Sequence, residues 1–422
     1  MKITKIEISN FKSFENLSIH LNDFNLLVGA NASGKSNFVQ AFQFLRDIVN
    51  HGLENAISLQ GGVEYLRNIK SEQSHLSFRI IMQGDSRGFW PGRQQESRLL
   101  KIHEIDYEFS LKFSTRSIRY AIDQDKITVI CSIEYKEELE IPGVKSKPRP
   151  DSKKFSIKFS NLDGILKITP NNLGMDMEPS FLDGTTIFRD APSYNEKPLL
   201  IESPVVGVFL RSALEGFKNT GIYDFDPKLS KKPVPITGLS ELATDGSNLT
   251  IVLNNIIRTK ENRRRFLNLF QDLLPFIHDI NVERAVDKSI FFRLREKYAE
   301  NKRIPASLIS DGTVNIIALI IALYFEQKQV VIIEEPERNV HPYLTSRVMD
   351  MFREVSKNRQ ILTTTHNPEM VKHADLENIL LITRDDEGFS RITKPADSDQ
   401  IKIFLENEMG LDDLFVQNLL GV

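Results

Sequence analysis

Across 422 residues there is one cysteine, Cys131. A lone thiol excludes an internal disulfide and any site built from several cysteines, and it suits a reducing compartment. Charge of one sign is scarce as well. The 54 basic and 57 acidic side chains leave a formal net charge of −3, so the chain as a whole offers nucleic acid no attraction and any such contact depends on local patches. No apolar run approaches the roughly 20 residues that crossing a bilayer takes. The first residues pass from Lys2 straight into strand-like sequence without the apolar core of a signal peptide, so a cytoplasmic protein without membrane contact is expected. Internal repeats are missing, and no heptad pattern runs beyond a few turns, which argues against a long coiled-coil arm. What is left is 41% hydrophobic and 26% charged, the make-up of an ordinary globular chain long enough for two or three domains.

The chemistry gathers first at Gly29-Ala30-Asn31-Ala32-Ser33-Gly34-Lys35-Ser36. An apolar run over residues 24–28 precedes it as a short buried strand, and residues 37–45 follow as an apolar-faced helix. That setting is what a phosphate-binding loop needs. Glycines at both ends let the backbone curl so that successive N–H groups point at a polyphosphate, and the helix start adds partial positive charge. Asn31, Ala32, Ser33, Gly34, Lys35, Ser36 and Asn37 are the candidate nucleotide contacts. Lys35 is placed to reach the β- and γ-phosphates of ATP, and the Ser36 hydroxyl to ligate Mg²⁺.

A second cluster lies near the other end of the chain. Val330-Val331-Ile332-Ile333-Glu334-Glu335 reads as a parallel strand buried on both faces with acids at its exposed end. In such ATPases that position supplies one acid for the metal and, one residue on, one for the attacking water. Glu334 takes the first role and Glu335 the second. The run from Arg359 to Pro368 repeats the logic: a β-branched strand ends in His366, whose imidazole then emerges at the same sheet edge, within reach of the γ-phosphate or the water. Ser310-Asp311-Gly312-Thr313 opens an apolar helix over residues 314–325 and forms a second anion cradle, with Ser310 and Gly312 as its contacts.

The remaining chain is read more coarsely. Residues 2–9 and 17–21 alternate as two strands of an N-terminal hairpin, which brings Lys12 and Ser13 toward the nucleotide. Residues 75–159 are mostly β and suggest an antiparallel sheet. Two basic segments interrupt it: Arg87, Arg93 and Arg98 around Phe89 and Trp90, then Lys145, Lys147, Arg149, Lys153 and Lys154 among prolines. They are candidates for a nucleic-acid backbone, against the plainer reading as solvated loops. From Ser240 the chain turns helical, with a helix over residues 248–257 that Ser247 can cap and another over residues 261–274; Arg263, Arg264 and Arg265 form a weak nucleic-acid candidate.

In this order the motifs resemble the ABC-type ATPases of the SMC, RecF and OLD group: the loop at Gly29, Ser310-Asp311-Gly312-Thr313, Glu334-Glu335-Pro336-Glu337, Asn339-Val340-His341-Pro342 and Thr364-Thr365-His366-Asn367-Pro368. The opening Asn10-Phe11-Lys12-Ser13-Phe14 is similar to that group too, and the stand-alone bacterial ATPases without a nuclease domain or coiled coil look closest. The resemblance implies an α/β fold of the P-loop NTPase, ABC-ATPase type, with a central mostly parallel sheet flanked by helices, an antiparallel β subdomain and a helical subdomain. The chain divides accordingly into residues 1–75, 76–235, 236–328 and 329–422. It further implies a homodimer or higher oligomer in which two protomers sandwich two ATPs, Ser310 and Gly312 binding the γ-phosphate held by the other copy's Lys35, and Asn339 and His341 lying at the dimer interface.

Two functions follow. One is an ATP-gated dimeric switch that hydrolyses ATP and engages DNA, RNA or an effector protein, in bacterial phage defence or DNA repair. The other is a low-turnover, ATP-bound scaffold that oligomerises and holds a toxin or nuclease partner. A transporter ATPase is disfavoured by the long stretch between Lys35 and Ser310. A nuclease built from Glu334, Glu335, His341 and His366 would need a carboxylate cluster of its own.

Overall fold

The computed structural model describes residues 1–422 except 72, 91–97, 115–119, 135–153, 163, 172–197, 286, 300–301, 407–408 and 421–422. Of the basic segments, Arg93 and the run Lys145, Lys147, Arg149 and Lys153 lie outside the described residues. The strands of the first part are β1 (Lys2–Phe11), β2 (Phe14–His20), β3 (Phe24–Val28), β4 (His75–Trp90), β5 (Arg98–Phe113), β6 (Tyr120–Glu134), β7 (Phe155–Leu162) and β8 (Ile165–Asn171). Then come β9 (Thr220–Tyr223), β10 (Val234–Pro235), β11 (Ile277–Arg284), β12 (Ser289–Glu296), β13 (Ile304–Pro305), β14 (Val330–Glu334), β15 (Gln360–Thr365), β16 (Ile379–Arg384) and β17 (Ser390–Thr393). The helices are α1 (Lys35–His51), α2 (Leu53–Leu59), α3 (Val63–Leu66), α4 (Pro204–Lys218), α5 (Pro227–Ser230) and α6 (Leu249–Ile257). They continue with α7 (Lys260–Leu273), α8 (Asp311–Tyr324), α9 (Pro342–Ser356), α10 (Pro368–Lys372), α11 (Asp399–Glu406) and α12 (Leu411–Val416). Among the described residues no helix is long and apolar enough to cross a membrane.

The chain forms two compact units. The first comprises Met1–Leu21, Gln40–Asn219 and Arg384–Arg391. Its strands make one antiparallel sheet in the order β2-β1-β4-β5-β6-β7-β8, so the N-terminal hairpin shares a sheet with the β-rich segment. Period-two alternation explains the sheet: Tyr107, Phe109 and Leu111 point into the core while Glu108 and Lys112 do not. Phe78 stacks on Phe109 at 5.4 Å and meets Phe11 edge-on at 5.2 Å. The β1–β2 turn carries two non-glycine residues at positive φ, Asn10 at 57° and Lys12 at 47°. The buried Asn10 amide holds the turn by donating to the carbonyls of Gln73 and His75 at 2.9 Å each. Cys131 is fully buried, which pushes its thiol up to about 12 and leaves it inert.

The second unit comprises Asn22–Val39, Thr220–Thr383 and Ile392–Val422. Its main sheet runs β17-β16-β3-β15-β14-β9, and the four pairings from β16 to β9 are parallel. β3, β14 and β15 are apolar or β-branched and almost wholly buried, as a sheet covered on both faces demands. Helix α8 supplies one covering layer: every residue from Val314 to Leu323 is buried. Phe24 and Phe352 stack at 5.9 Å between β3 and α9. A smaller antiparallel sheet of β10, β12, β11 and β13 stands beside α6, α7 and α8.

That small sheet adds strands to residues 236–328, expected from the sequence as a helical subdomain. Ile290, Phe292 and Leu294 are buried while Phe291 and Arg293 are less so, a strand-period signal hidden by the stronger helical stretches on either side. Ser247 does not cap α6. Asn248 holds the N-cap position, its side-chain Oδ1 accepting from the Ala243 N–H at 2.8 Å, and the Ser247 N–H donates to Asp245.

Candidate functional site

The register of the parallel sheet decides where the chemistry meets. Thr365 lies opposite Val28, Glu334 opposite Thr364, and Ile333 opposite Tyr223. The carboxyl ends of β3, β15, β14 and β9 therefore coincide, and Gly29, His366, Glu335 and Asp224 all leave the sheet along one edge.

The loop after β3 bends as its glycines suggested. Gly34 takes a φ of 112°, which favours glycine, and Ala32 adopts 62°. At Gly29 a Cβ would lie 2.4 Å from the Ile382 carbonyl oxygen, so no larger residue fits. Lys35 is 8% exposed, and its ammonium donates to the carbonyls of Gly29 at 2.8 Å and Ala30 at 2.9 Å. Burial lowers its pKa, partly offset by Glu335, Glu334 and Glu337. Asn31, Ala32 and Ser36 are exposed, Asn37 half-buried, and Ser33 and Gly34 buried.

Ser36 and Glu334 come together across the sheet, the hydroxyl donating to Glu334 Oε2 at 2.8 Å. Burial raises the Glu334 pKa, with Ser36 opposing and Asp224 and Glu335 adding to it. Two hard oxygen donors side by side fit a Mg²⁺ ion, which accepts one or two protein oxygens and takes the rest from water and phosphate. Among the described residues no three His, Cys, Asp or Glu side chains gather as a self-sufficient metal cage.

Glu335 begins the turn after β14 at a φ of 44°, a strained conformation for a side chain of this kind. The surroundings hold it there. Its N–H donates to the Thr364 carbonyl at 3.1 Å, its Oε1 meets His366 Nδ1 at 2.7 Å, and its Oε2 accepts from Arg338 at 3.1 Å. Burial pushes the carboxyl up, but Arg338 and His366 outweigh it and hold the pKa below the usual range. Arg338 in turn reaches Asp224, at the end of β9, at 3.0 Å. Glu337 is buried, accepts from Thr365 Oγ1 at 2.5 Å, and has its pKa raised by burial.

Ser310 is the N-cap of α8. Its Oγ accepts from the Thr313 N–H at 3.2 Å while the residue stays exposed, and Lys231 pairs with the neighbouring Asp311. His341 caps α9 through its Nδ1 and the Tyr343 N–H, and Asn339 sits at a φ of 63°.

The edge thus gathers Lys35, Ser36, Glu334, Glu335 and His366, with Ser310 and Gly312 on the exposed start of α8 in the same unit. Lys12 belongs to the first unit, where its ammonium lies 5.8 Å over the Phe11 ring and burial lowers its pKa. Of the weak arginine candidates, Arg263 is engaged by Asp279 and Asn281, and Arg265 stacks over Phe325 at 5.3 Å, so both have structural work. Sequence reasoning missed Asp224, Asn315 and Arg338. The only signals for them were an acid after a short strand, an amide in an apolar helix and a cation three residues past Glu335.

The model of the AAA ATPase domain family matches residues 1–371. Among curated proteins, Endonuclease GajA of Bacillus cereus (strain VD045) is 19% identical over 402 residues, covering 90% of this chain and 58% of that protein. An uncharacterized protein of Methanocaldococcus jannaschii is 29% identical over 93 residues, 21% of this chain and 24% of its own. The chain spans less than two thirds of the length of these curated relatives. Two solved structures share the fold. One is an Smc head bound to the C-winged helix domain of ScpA, with a TM-score of 0.52, 16% identity, and coverage of 93% of this chain and 98% of that one. The other is an Smc head domain with an extended coiled coil bound to the C-terminal domain of ScpA, derived from Pyrococcus furiosus, with a TM-score of 0.51, 16% identity, and coverage of 97% and 100%.

Proposed function

The chain belongs to the AAA ATPase domain family and is an ATPase of the SMC, RecF and OLD type, and on that premise we propose that it acts as an ATP-gated dimeric switch. Two copies face each other so that each Lys35 loop binds an ATP and the other copy's Ser310 and Gly312 close over the γ-phosphate. The supporting observation is the pairing of Ser36 with Glu334 and of His366 with Glu335 on one sheet edge, while Ser310 is exposed on a helix start.

The residues divide the work. Lys35 leaves the Gly29 and Ala30 carbonyls for the β- and γ-phosphates, and the loop N–H groups with the α1 start share the negative charge. Ser36 and Glu334 would hold Mg²⁺, which would supply charge neutralisation at the phosphates. Glu335 accepts a proton from the attacking water as that water's oxygen bonds to the γ-phosphorus and the bond to the ADP oxygen breaks. His366 fixes the Glu335 carboxylate from its Oε1 side and, in this proposal, donates to the γ-phosphate. Closure requires the γ-phosphate, so ATP and ADP differ in affinity for the closed state, as a switch needs.

The closed dimer engages DNA or RNA and an effector partner, a nuclease or toxin, in phage defence or DNA repair. GajA carries the name endonuclease, and this chain matches just over half of it, which supports nucleic acid as what the switch serves. The test is purification of Glu335→Gln with ATP and Mg²⁺, followed by mass measurement. A dimer or larger assembly with bound nucleotide supports the switch; a monomer without nucleotide sinks it.

A further inference from the structure

Helix α8 is apolar through its buried stretch except at Asn315, which is 3% exposed. An amide costs free energy in such a place unless it is bonded. Asn315 Nδ2 donates to two carbonyl oxygens, Pro336 O at 3.1 Å and Arg338 O at 2.8 Å. Both belong to the turn that begins at Glu335. With two acceptors facing it, the amide nitrogen has to point that way. Three residues earlier on α8, Gly312 lies so close to the same turn that a Cβ would stand 2.2 Å from the Asn339 carbonyl oxygen. The start of α8 and the segment 336–339 are therefore joined by two hydrogen bonds and a close approach at Gly312, so a shift of one displaces the other.

The opposite side of that segment is fastened to β15, through Glu335 N to Thr364 O and Thr365 Oγ1 to Glu337. Glu335, at its strained φ, carries the first of these bonds and directly precedes Pro336, which accepts from Asn315. A shift of the helix start has a short path to the carboxylate, made of the buried Asn315 amide, its bond to the Pro336 carbonyl and the peptide unit that joins Pro336 to Glu335.

We propose that Asn315 is a positioning residue that transmits engagement of Ser310 and Gly312 to Glu335 of the same chain. This rests on the dimeric reading above, in which Ser310 and Gly312 touch the nucleotide of the other copy. Asn315 then reports that the partner's ATP is in place to the base that acts on this copy's own ATP, and the two sites fire together.

The test uses the full chain with ATP and Mg²⁺. Asn315→Leu fills the same space without donors, and Asn315→Thr keeps one. Affinity for N-methylanthraniloyl ATP and melting temperature establish folding and binding. The expected result for Asn315→Leu is a kcat lower by about 10- to 100-fold, as a misplaced catalytic group gives, with KM within about twofold and the Hill coefficient for ATP falling toward 1; Asn315→Thr falls between. Combined with Ser310→Ala, the losses in kcat do not add, because both variants break one path. Folded Asn315→Leu with unchanged kcat and Hill coefficient overturns the proposal, as do additive losses; if Asn315→Leu fails to fold, Asn315→Thr carries the same comparison. Full kcat in Ser310→Ala alone is a different failure, that of the dimeric reading itself.

Discussion

Replacing Glu335 with glutamine isolates the proposed base at little structural cost. The amide keeps an oxygen for Arg338, which donates to Oε2 at 3.1 Å, and offers an N–H to His366 Nδ1, now 2.7 Å from Oε1. What goes is the negative charge. The Arg338 pair is partly solvated, its side chains 43% and 22% exposed, so losing that charge costs at most about 1 kcal/mol of stability. Losing proton acceptance from water costs a factor of about 10² to 10⁴ in rate, equivalent to about 3–5 kcal/mol in the barrier. The catalytic effect outweighs the structural one by several-fold, and the assays separate them. Phosphate release should fall by at least about 100-fold, while N-methylanthraniloyl ATP affinity and melting temperature stay near those of the native chain. A Glu335→Gln protein that hydrolyses ATP within about tenfold of the native rate would refute the assignment.

The Ser36 and Glu334 oxygens predict a metal phenotype: Ser36→Ala raises the Mg²⁺ concentration for half-maximal hydrolysis by about tenfold or more, measured by Mg²⁺ titration, and an unchanged titration removes Ser36 from the metal. Lys35→Ala abolishes ATP binding, because no other buried ammonium stands at the loop among the described residues; retained affinity in a fluorescence titration contradicts this. In the first unit, Asp125 is 3% exposed and burial raises its pKa from 3.8 to about 7. Its folded pKa exceeds the unfolded one, so its contribution is full below about pH 4 and declines as pH rises toward 7, by up to about 4 kcal/mol. Asp125→Asn should flatten that decline in urea unfolding at pH 5 and pH 7.5, leaving the part due to the other carboxyls whose pKa burial raises, Glu202, Glu334 and Glu337 among them; an unchanged slope refutes the assignment.

What was legible in the chain was whatever a strand or helix end displays locally. The glycines around Lys35 announce a turn between β3 and α1, the acids closing β14 and the histidine closing β15 break apolar runs, and Ser310 opens an apolar helix. Parallel pairing then does the rest, because once β3, β15 and β14 align, their ends have to meet. Asp224 and Arg338 were not legible, since their bond joins residues 114 positions apart and nothing near either one names the other. Asn315 was passed over inside an apolar helix, since its purpose depends on two carbonyls in a turn whose packing no local pattern encodes. The β11–β12 hairpin was passed over because α7 and α8 dominate the periodicity around it, although Ile290, Phe292 and Leu294 alternate as a strand should.

The most direct test of the shared nucleotide site mixes two inactive proteins. Lys35→Ala retains Ser310 and Ser310→Ala retains Lys35, so a mixed dimer holds one complete site, formed by the intact loop of one chain and the intact helix start of the other. Each variant alone should hydrolyse almost no ATP, and the mixture should recover a clear fraction of native phosphate release. A mixture as inactive as its components would contradict the account.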